Sequence, residues 1–363
     1  MKIGILTHYN VSSHGALLQM YGLKKQLEEM SHEVFILTYT RNLDFIDENT
    51  KKRFSASVKN IPYYLSSYMG DDGIGCLFYQ FKKQKVLKNF REQNFTLRPY
   101  IDSAQLDCTI VGADEVFALE NGVNFMMFGH GITSPKLIAY APSAGQTDLS
   151  RVEKFGCKEL LTFGLGRFTA LSARDAGTQQ LLFELTGKDV PLVCDPALLY
   201  HFPHPNKECK KKYIIVYSYQ SNFKDKERIQ AIQTYAKRNK CELWSVGVYY
   251  KWCDKKINCD PLEMIRIFAK AQAVITDTFH GTIASYIAHT PMAVFVRNNN
   301  SVKLEHLLRM IGIEKRKATT NEMLEAVLNM PVDFEKLDKN VEKLRASGMQ
   351  YLGQALREQE GNK

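Results

Sequence analysis

The sequence predicts an α/β chain built of two doubly wound, Rossmann-like domains in tandem, and three observations carry that expectation. Its 363 residues exceed what one hydrophobic core ordinarily supports. Short continuous apolar runs, the pattern of strands buried on both faces, alternate with helical periodicity along most of the chain. The alternation stops at a proline- and lysine-rich stretch from His201 to Lys212, which reads as a linker, and then begins again.

The first domain, 1–205, opens on the apolar run Lys2 to Thr7, a buried parallel strand. A polar loop, Asn10-Val11-Ser12-Ser13-His14-Gly15, follows. Leu17, Leu18, Tyr21, Leu27 and Met30 then recur at helical spacing, with Lys24 and Lys25 on the opposite face. Val34 to Leu37 is the second strand. This βαβ start lacks GxGxxG, so it carries no dinucleotide fingerprint. From about 42 to 100 the chain turns helical, aromatic and basic, with Tyr63, Tyr64, Tyr68, Phe78, Tyr79, Phe81 and Phe90 and a flexible turn at Gly70 to Gly75. Such an insertion either covers a cleft or touches a membrane surface, or else packs its aromatics onto the first domain. Strands are expected at Cys108–Val111, Leu137–Tyr140, Phe168–Ser172 and Val190–Val193, with a helix over Thr178–Leu185.

The second domain, 206–330, repeats the alternation. Strands are expected at Tyr213–Tyr217, Glu242–Val248, Ala273–Thr276 and Met292–Val296. Helices are expected at Asp225–Lys240, Pro261–Ala271 and Gly281–Ala288. The last segment, 331–363, holds a charged amphipathic helix, Phe334 to Leu356, expected to cross back to the first domain.

Composition narrows the function classes. Apolar residues make up 45% and charged residues 24%, an ordinary globular balance. No apolar run approaches the roughly 18–20 residues that span a bilayer, and the N-terminus is too soon polar for a signal peptide. Eight cysteines lie scattered without paired metal-ligand spacing, which favours reduced structural thiols, no metal, and the cytosol. The net charge of +9 favours anionic partners. Its basic clusters, such as Lys210-Lys211-Lys212 and Lys315-Arg316-Lys317, accompany no nucleic-acid motif.

Four groups of residues can do chemistry. In Asp277-Thr278-Phe279-His280-Gly281-Thr282, strand gives way to helix and sets His280 at the carboxyl edge of a parallel sheet. Gly281 there permits close backbone approach, and the helix N-terminus favours negative charge. A phosphate beside His280 keeps the imidazole protonated as a general acid. In Ser172-Ala173-Arg174-Asp175-Ala176-Gly177, Arg174 either forks onto phosphate or carboxylate or forms a capping pair with Asp175. In Val111-Gly112-Ala113-Asp114-Glu115, Asp114 either orients and deprotonates a hydroxyl or caps a turn. The first loop offers His8, Asn10, His14, Gly15 and Gln19 to a hydroxyl-rich ligand.

Six blocks together, IGILTHYNVSSHGALLQMYGL, TIVGADEVF, IAYAPSAG, LSARDAG, LVCDPALL and ITDTFHGTIASYIAHTPMAVF, resemble the polysaccharide pyruvyl transferases, in that family's order and over roughly the first 300 residues. The resemblance implies a fold similar to GT-B glycosyltransferases. It implies a cofactor-free transferase with phosphoenolpyruvate as co-substrate and a pyruvate ketal on a polysaccharide sugar as product. The implied acceptor is a sugar or lipid-linked glycan, met in the cytoplasm or at the inner membrane face. His280 would be the donor-site acid, with Arg174, Thr278, Gly281 and Thr282 around the donor. Asp114 would act in catalysis, and His8, Asn10, His14, Gly15, Gln19 and Glu115 would meet the acceptor. The chain departs from the pattern twice. Thr278 stands where some members place an arginine, and Gly112-Ala113-Asp114-Glu115-Val116-Phe117 stands where many read Gly-Ser-Asp-Gln-Val-Trp. The same fold also suits a nucleotide-sugar glycosyltransferase or a non-catalytic glycan binder.

Overall fold

The computed structural model describes residues 1–42, 73–203, 211–220, 222–297 and 301–357. The first sheet contains β1 (Lys2–Leu6), β2 (Glu33–Thr38), β3 (Leu97–Pro99), β4 (Cys108–Val111) and β5 (Lys136–Ala139), in the order β3-β2-β1-β4-β5. The second contains β6 (Tyr213–Tyr217), β7 (Glu242–Val246), β8 (Lys255–Ile257), β9 (Ala273–Thr276), β10 (Met292–Phe295) and β11 (Lys317–Ala318), in the order β11-β10-β9-β6-β7-β8. Every pairing is parallel. Strand order reverses between β1 and β4 in the first sheet and between β6 and β9 in the second. Such switch points open crevices beyond the carboxyl ends of the strands. Registers Leu6↔Val111 and Tyr217↔Thr276 bring both pairs of strand ends level.

Burial explains why these runs become strands. Ile3, Ile5, Ile36, Ile110 and Ile138 are fully or almost fully buried on one face of the first sheet, against Leu17, Leu18, Leu23 and Leu27 of the helix His14–Glu29. The other face buries Leu6, Leu37, Val111 and Ala139 against Phe117, Phe128 and Leu161. The first of these cores continues into the second half of the molecule. It takes in Tyr213, Ile215 and Val274, the helices Pro261–Ala269 and Phe279–Ile287, and Val341 and Leu352. One helical layer therefore serves both sheets.

The final helix, Phe334–Arg357, lies on the first half. Its Arg345 donates to the Leu198 carbonyl at 2.6 Å, its Tyr351 hydroxyl donates to the Ala139 carbonyl at 2.8 Å, and Lys136 donates to the Leu356 carbonyl. The helix Gly73–Asn94 touches both halves: Arg91 donates to the Val11 carbonyl, whereas Tyr79 and Lys83 donate to the Ile257 and Gly247 carbonyls. Its Ile74, Phe78 and Phe81 are exposed. Gly73 to Gly75 begin this helix rather than forming a turn, and the rest of the expected insertion before Gly73 lies outside the described residues.

Two expected strands do not form. Phe168–Ser172 and Val190–Val193 make only single bridges, Ile138↔Ala170 and Ala173↔Leu192. The Ser172 hydroxyl donates to the Ala139 carbonyl and accepts from the Ala141 N–H, occupying ladder groups that a sixth strand would need. The structure adds β3, β8 and β11, of two or three residues each, and the helices Ser301–Ile311 and Met323–Asn329. Arg316 of the last basic cluster is buried and donates to the Val327, Met330 and Pro331 carbonyls, a structural use of its charge.

Candidate active site

The loops after β1 and β4 face those after β6 and β9 across a cleft of about 390 Å³. His8, Asp114, Glu115 and Arg174 line it from the first half, with Arg41. From the second half come Tyr219, Phe279, His280, Arg297 and Lys303. Four basic side chains, Arg41, Arg174, Arg297 and Lys303, line it, and carboxylates meet three of them: Asp195 holds Arg174, Asp277 holds Arg297 and Glu115 holds Lys303.

His280 is the second residue of the helix Phe279–Ile287, whose N-cap is Thr278. The Thr278 hydroxyl accepts from the Gly281 N–H at 3.0 Å, and its carbonyl accepts from the Thr282 hydroxyl at 3.0 Å. Both threonine hydroxyls are thereby committed to the helix end, and Thr282 is fully buried. They shape the turn and do not reach into the cleft. A side chain at Gly281 would put its Cβ 2.2 Å from the Thr276 hydroxyl, so this turn requires glycine.

His280 Nε2 lies 3.5 Å from the Asp195 carboxylate, and Arg174 Nη1 donates to the same oxygen at 2.8 Å. Arg174 comes from the loop before the helix Ala176–Thr186, where Asp175, not the arginine, is the cap. The Arg174 guanidinium also lies over the Phe279 ring, 4.7 Å from its centroid. One buried carboxylate therefore joins a basic side chain from each half of the molecule. Burial alone would raise the Asp195 pKa, but the His280 and Arg174 partners outweigh it and hold it at about 2. Burial likewise opposes ionisation of Asp114, yet His280, Arg174 and His8 together keep its pKa below the ordinary value. Asp114 also adopts φ 71, the left-handed region that a side chain seldom occupies, directly at the cleft.

Asp195 was not among the candidates from sequence. Its visible signal was Asp195-Pro196 at a helix start, where its Oδ1 caps the Ala197 N–H at 2.9 Å. The cleft cations Arg41, Arg297 and Lys303 were also missed. Arg297 pairs with Asp277 at 2.8 Å, and Lys303 pairs with Glu115 across the cleft. Glu115 is thus engaged by a lysine, while its carbonyl bonds His8 Nε2 at 3.1 Å, and His8 Nδ1 meets the Tyr39 hydroxyl at 2.9 Å.

Three first-loop candidates fall away from the cleft. Asn10 is exposed and does not line it. Gln19 is fully buried, with its amide 3.5 Å from the Thr7 hydroxyl. His14 is buried and bonds the Cys259 carbonyl at 2.9 Å, so its Nε2 carries the proton. Burial, with Lys83 nearby, lowers its pKa to about 3. Gly15 serves differently: a Cβ there would fall 2.3–2.5 Å from Cγ, Nδ1 and Cβ of His280, so its bare backbone is what lets that side chain sit where it does.

Among the described residues no group of three or more His, Cys, Asp or Glu is placed to hold a metal, seven cysteines are free thiols, and no helix is long and apolar enough to cross a membrane.

Two parallel α/β sheets with helices, a cleft at their switch points and cationic walls define a protein of GT-B-like architecture. A putative UDP-N-acetylglucosamine 2-epimerase from Listeria monocytogenes matches over 100% of this chain and 97% of its own, at 11% identity and a TM-score of 0.54. The Methanocaldococcus jannaschii UDP-GlcNAc 2-epimerase aligns over 95% and 100% at 12% identity and TM-score 0.49, and the glycotransferase of kitacinnamycin over 98% and 98% at 14% and 0.48. No curated protein matches the chain in sequence. A family profile described as polysaccharide pyruvyl transferase matches residues 14–299. The chain belongs to the polysaccharide pyruvyl transferase family.

Proposed function

We propose that this transferase moves an enolpyruvyl unit from phosphoenolpyruvate onto a sugar, closing a pyruvate ketal. The observation that carries the reading is the gathering of His280 and Arg174, one from each half, on Asp195 at the wall of a cation-lined cleft. A small trianionic donor would draw on cations that the Asp195, Asp277 and Glu115 carboxylates now hold in place.

The proposed chemistry uses the residues that line the cleft. With Nε2 turned to Asp195, Nδ1 is the ring nitrogen left to serve a ligand. Nδ1 gives its proton to the methylene carbon of the donor, which becomes a methyl group and leaves the phosphate-bearing carbon electrophilic. One sugar hydroxyl adds to that carbon and passes its proton to Asp114. The carbon–oxygen bond to phosphate then breaks with its electron pair, and Asp114 returns the proton to the departing phosphate. A second hydroxyl closes the ketal, and its proton restores His280. Cleft cations stabilise the charge on phosphate as it leaves. Arg297, Arg41 and Lys303 of the same cleft would supply the positive charge that Thr278 does not.

The test is phosphate release from phosphoenolpyruvate with a panel of hexoses and lipid-linked glycans. His280→Ala is expected to lower turnover by about 10²–10⁴-fold with the fold intact. Arg174→Lys is expected to retain only part of the activity, because an ammonium lacks the planar fork. Stabilisation by a nucleotide diphosphate sugar and not by phosphoenolpyruvate would replace this reading with a glycosyltransferase.

A further inference from the structure

The helix Gly73–Asn94 puts its two faces to opposite uses. Inward, Cys76, Tyr79, Leu87 and Phe90 are buried. The Tyr79 hydroxyl donates to the Ile257 carbonyl at 2.7 Å, and the Asn258 amide donates to the Tyr79 carbonyl at 3.1 Å. Outward, Ile74, Phe78 and Phe81 stand 62%, 70% and 63% exposed. Large apolar side chains exposed singly are ordinary on a protein surface. These three instead fall on one stripe, at the four- and three-residue spacings that stack side chains along a helix.

The stripe then turns basic. Lys85 and Lys88 continue it beyond Phe81 at the same spacings, with Lys82 beside them, and all three lysines are exposed. The helix holds one acid, Glu92, which lies 3.6 Å from Lys88. Lys251 adds positive charge at the other end, its Nζ 3.9 Å from where a Cβ on Gly73 would fall. An apolar strip with lysines at both ends is complementary to a lipid surface carrying anionic headgroups. The rings enter the acyl boundary while the ammonium groups, on their long stems, stay among the headgroups. A second copy of this chain is a poorer occupant. The single acid of the stripe is already engaged, so a two-fold contact would offer its lysines no counter-charge.

We propose that this helix face docks the protein on an anionic lipid surface, with Ile74, Phe78 and Phe81 in the acyl boundary and Lys82, Lys85 and Lys88 at the headgroups. Arg91 lies about 15 Å along the helix from Phe81. It donates to the Val11 carbonyl at 3.1 Å, and Val11 lines the main cleft. Docking thus sets the cleft near the lipid, where an acceptor held in a membrane could reach it. That last consequence rests on the transferase reading above, whereas the docking does not.

The test is co-sedimentation with vesicles of phosphatidylcholine alone and of an equal mixture of phosphatidylcholine and phosphatidylglycerol, at low and high salt. Wild type is expected to bind the mixed vesicles, less so in high salt, and to bind phosphatidylcholine far more weakly. The double variant Phe78→Ser, Phe81→Ser should bind the mixed vesicles at least about tenfold more weakly. The double variant Lys82→Gln, Lys85→Gln should lose about fivefold for each charge, and part of the salt dependence with it. Both should melt as wild type does, because the inward face is untouched. No binding by wild type, equal binding to the two kinds of vesicle, or undiminished binding by the phenylalanine variant overturns the docking. So does a wild-type dimer in sedimentation velocity that the phenylalanine variant dissolves, which gives the face to a second copy. Phosphate release from phosphoenolpyruvate with a soluble hexose, followed in parallel, separates the two readings. Release without vesicle binding overturns only the docking, and vesicle binding without release overturns only the donor. Should the variants not fold, a photoactivatable phosphatidylglycerol decides with the wild type. Adducts on residues 74–85 support the face, and adducts only elsewhere overturn it.

Discussion

At the scale of single residues, the site depends on how closely two backbones approach. Gly15 belongs to the first half and His280 to the second, and the imidazole rests against the space a side chain at Gly15 would fill. Gly15→Ala is expected to push the ring off the Asp195 carboxylate and lower turnover sharply. Some stability should go with it, because the Cβ of His280 is among the atoms met and cannot move without its backbone. Steady-state kinetics beside urea unfolding separates the two effects, and full activity in the variant would show that the ring has another seat. The Asp277 to Thr282 hexapeptide announced His280 because strand, turn and helix follow one another in the sequence. Asp195 was silent for the opposite reason. Its role arises only where Arg174 and His280 meet, and neither is its neighbour in the chain. His14 and Gln19 misled in the same way: polar residues in a glycine-containing loop look available, and only packing reveals that their polar atoms face inward.

Among the elements, long apolar runs were legible and short ones were not. β4, β6 and β9 fall where their continuous apolar stretches place them, because burial on both faces leaves little room for another conformation. β8 and β11 carry three and two residues, too few to establish a period. Phe168–Ser172 has the composition of a strand, yet a serine hydroxyl takes over the ladder. The final helix shows how one element ties the layers together: its Tyr351 hydroxyl reaches the last carbonyl of β5. Tyr351→Phe removes that bond but keeps the ring against Tyr140. A loss of about 1 kcal/mol in chemical denaturation is expected, with turnover unaffected. A clear fall in turnover at unchanged stability would instead connect this helix to the cleft.

For the molecule as a whole, the tandem arrangement could be read from the interrupted alternation of strands and helices, but the shared helical layer between the sheets could not. No sequence period records that Val341 and Val274 belong to one core with Ile5. The seam also contains His14, whose Nε2–H binds the Cys259 carbonyl, with Tyr217 edge-on to its ring and Lys83 close by. An unfolded imidazole takes up a proton near 6.5, whereas this one does so only near 3. Above 6.5 nothing is lost. Below it the unfolded chain binds the extra proton, and stability falls by about 1.4 kcal/mol per pH unit until the lower value is reached. Urea unfolding between pH 7.5 and 5 is expected to show that slope, flattened in His14→Gln; an equal slope in the variant would exclude the histidine as its source. Mild acid would then loosen the whole molecule from its middle outwards, because one uncharged ring sits where the two sheets share a single core.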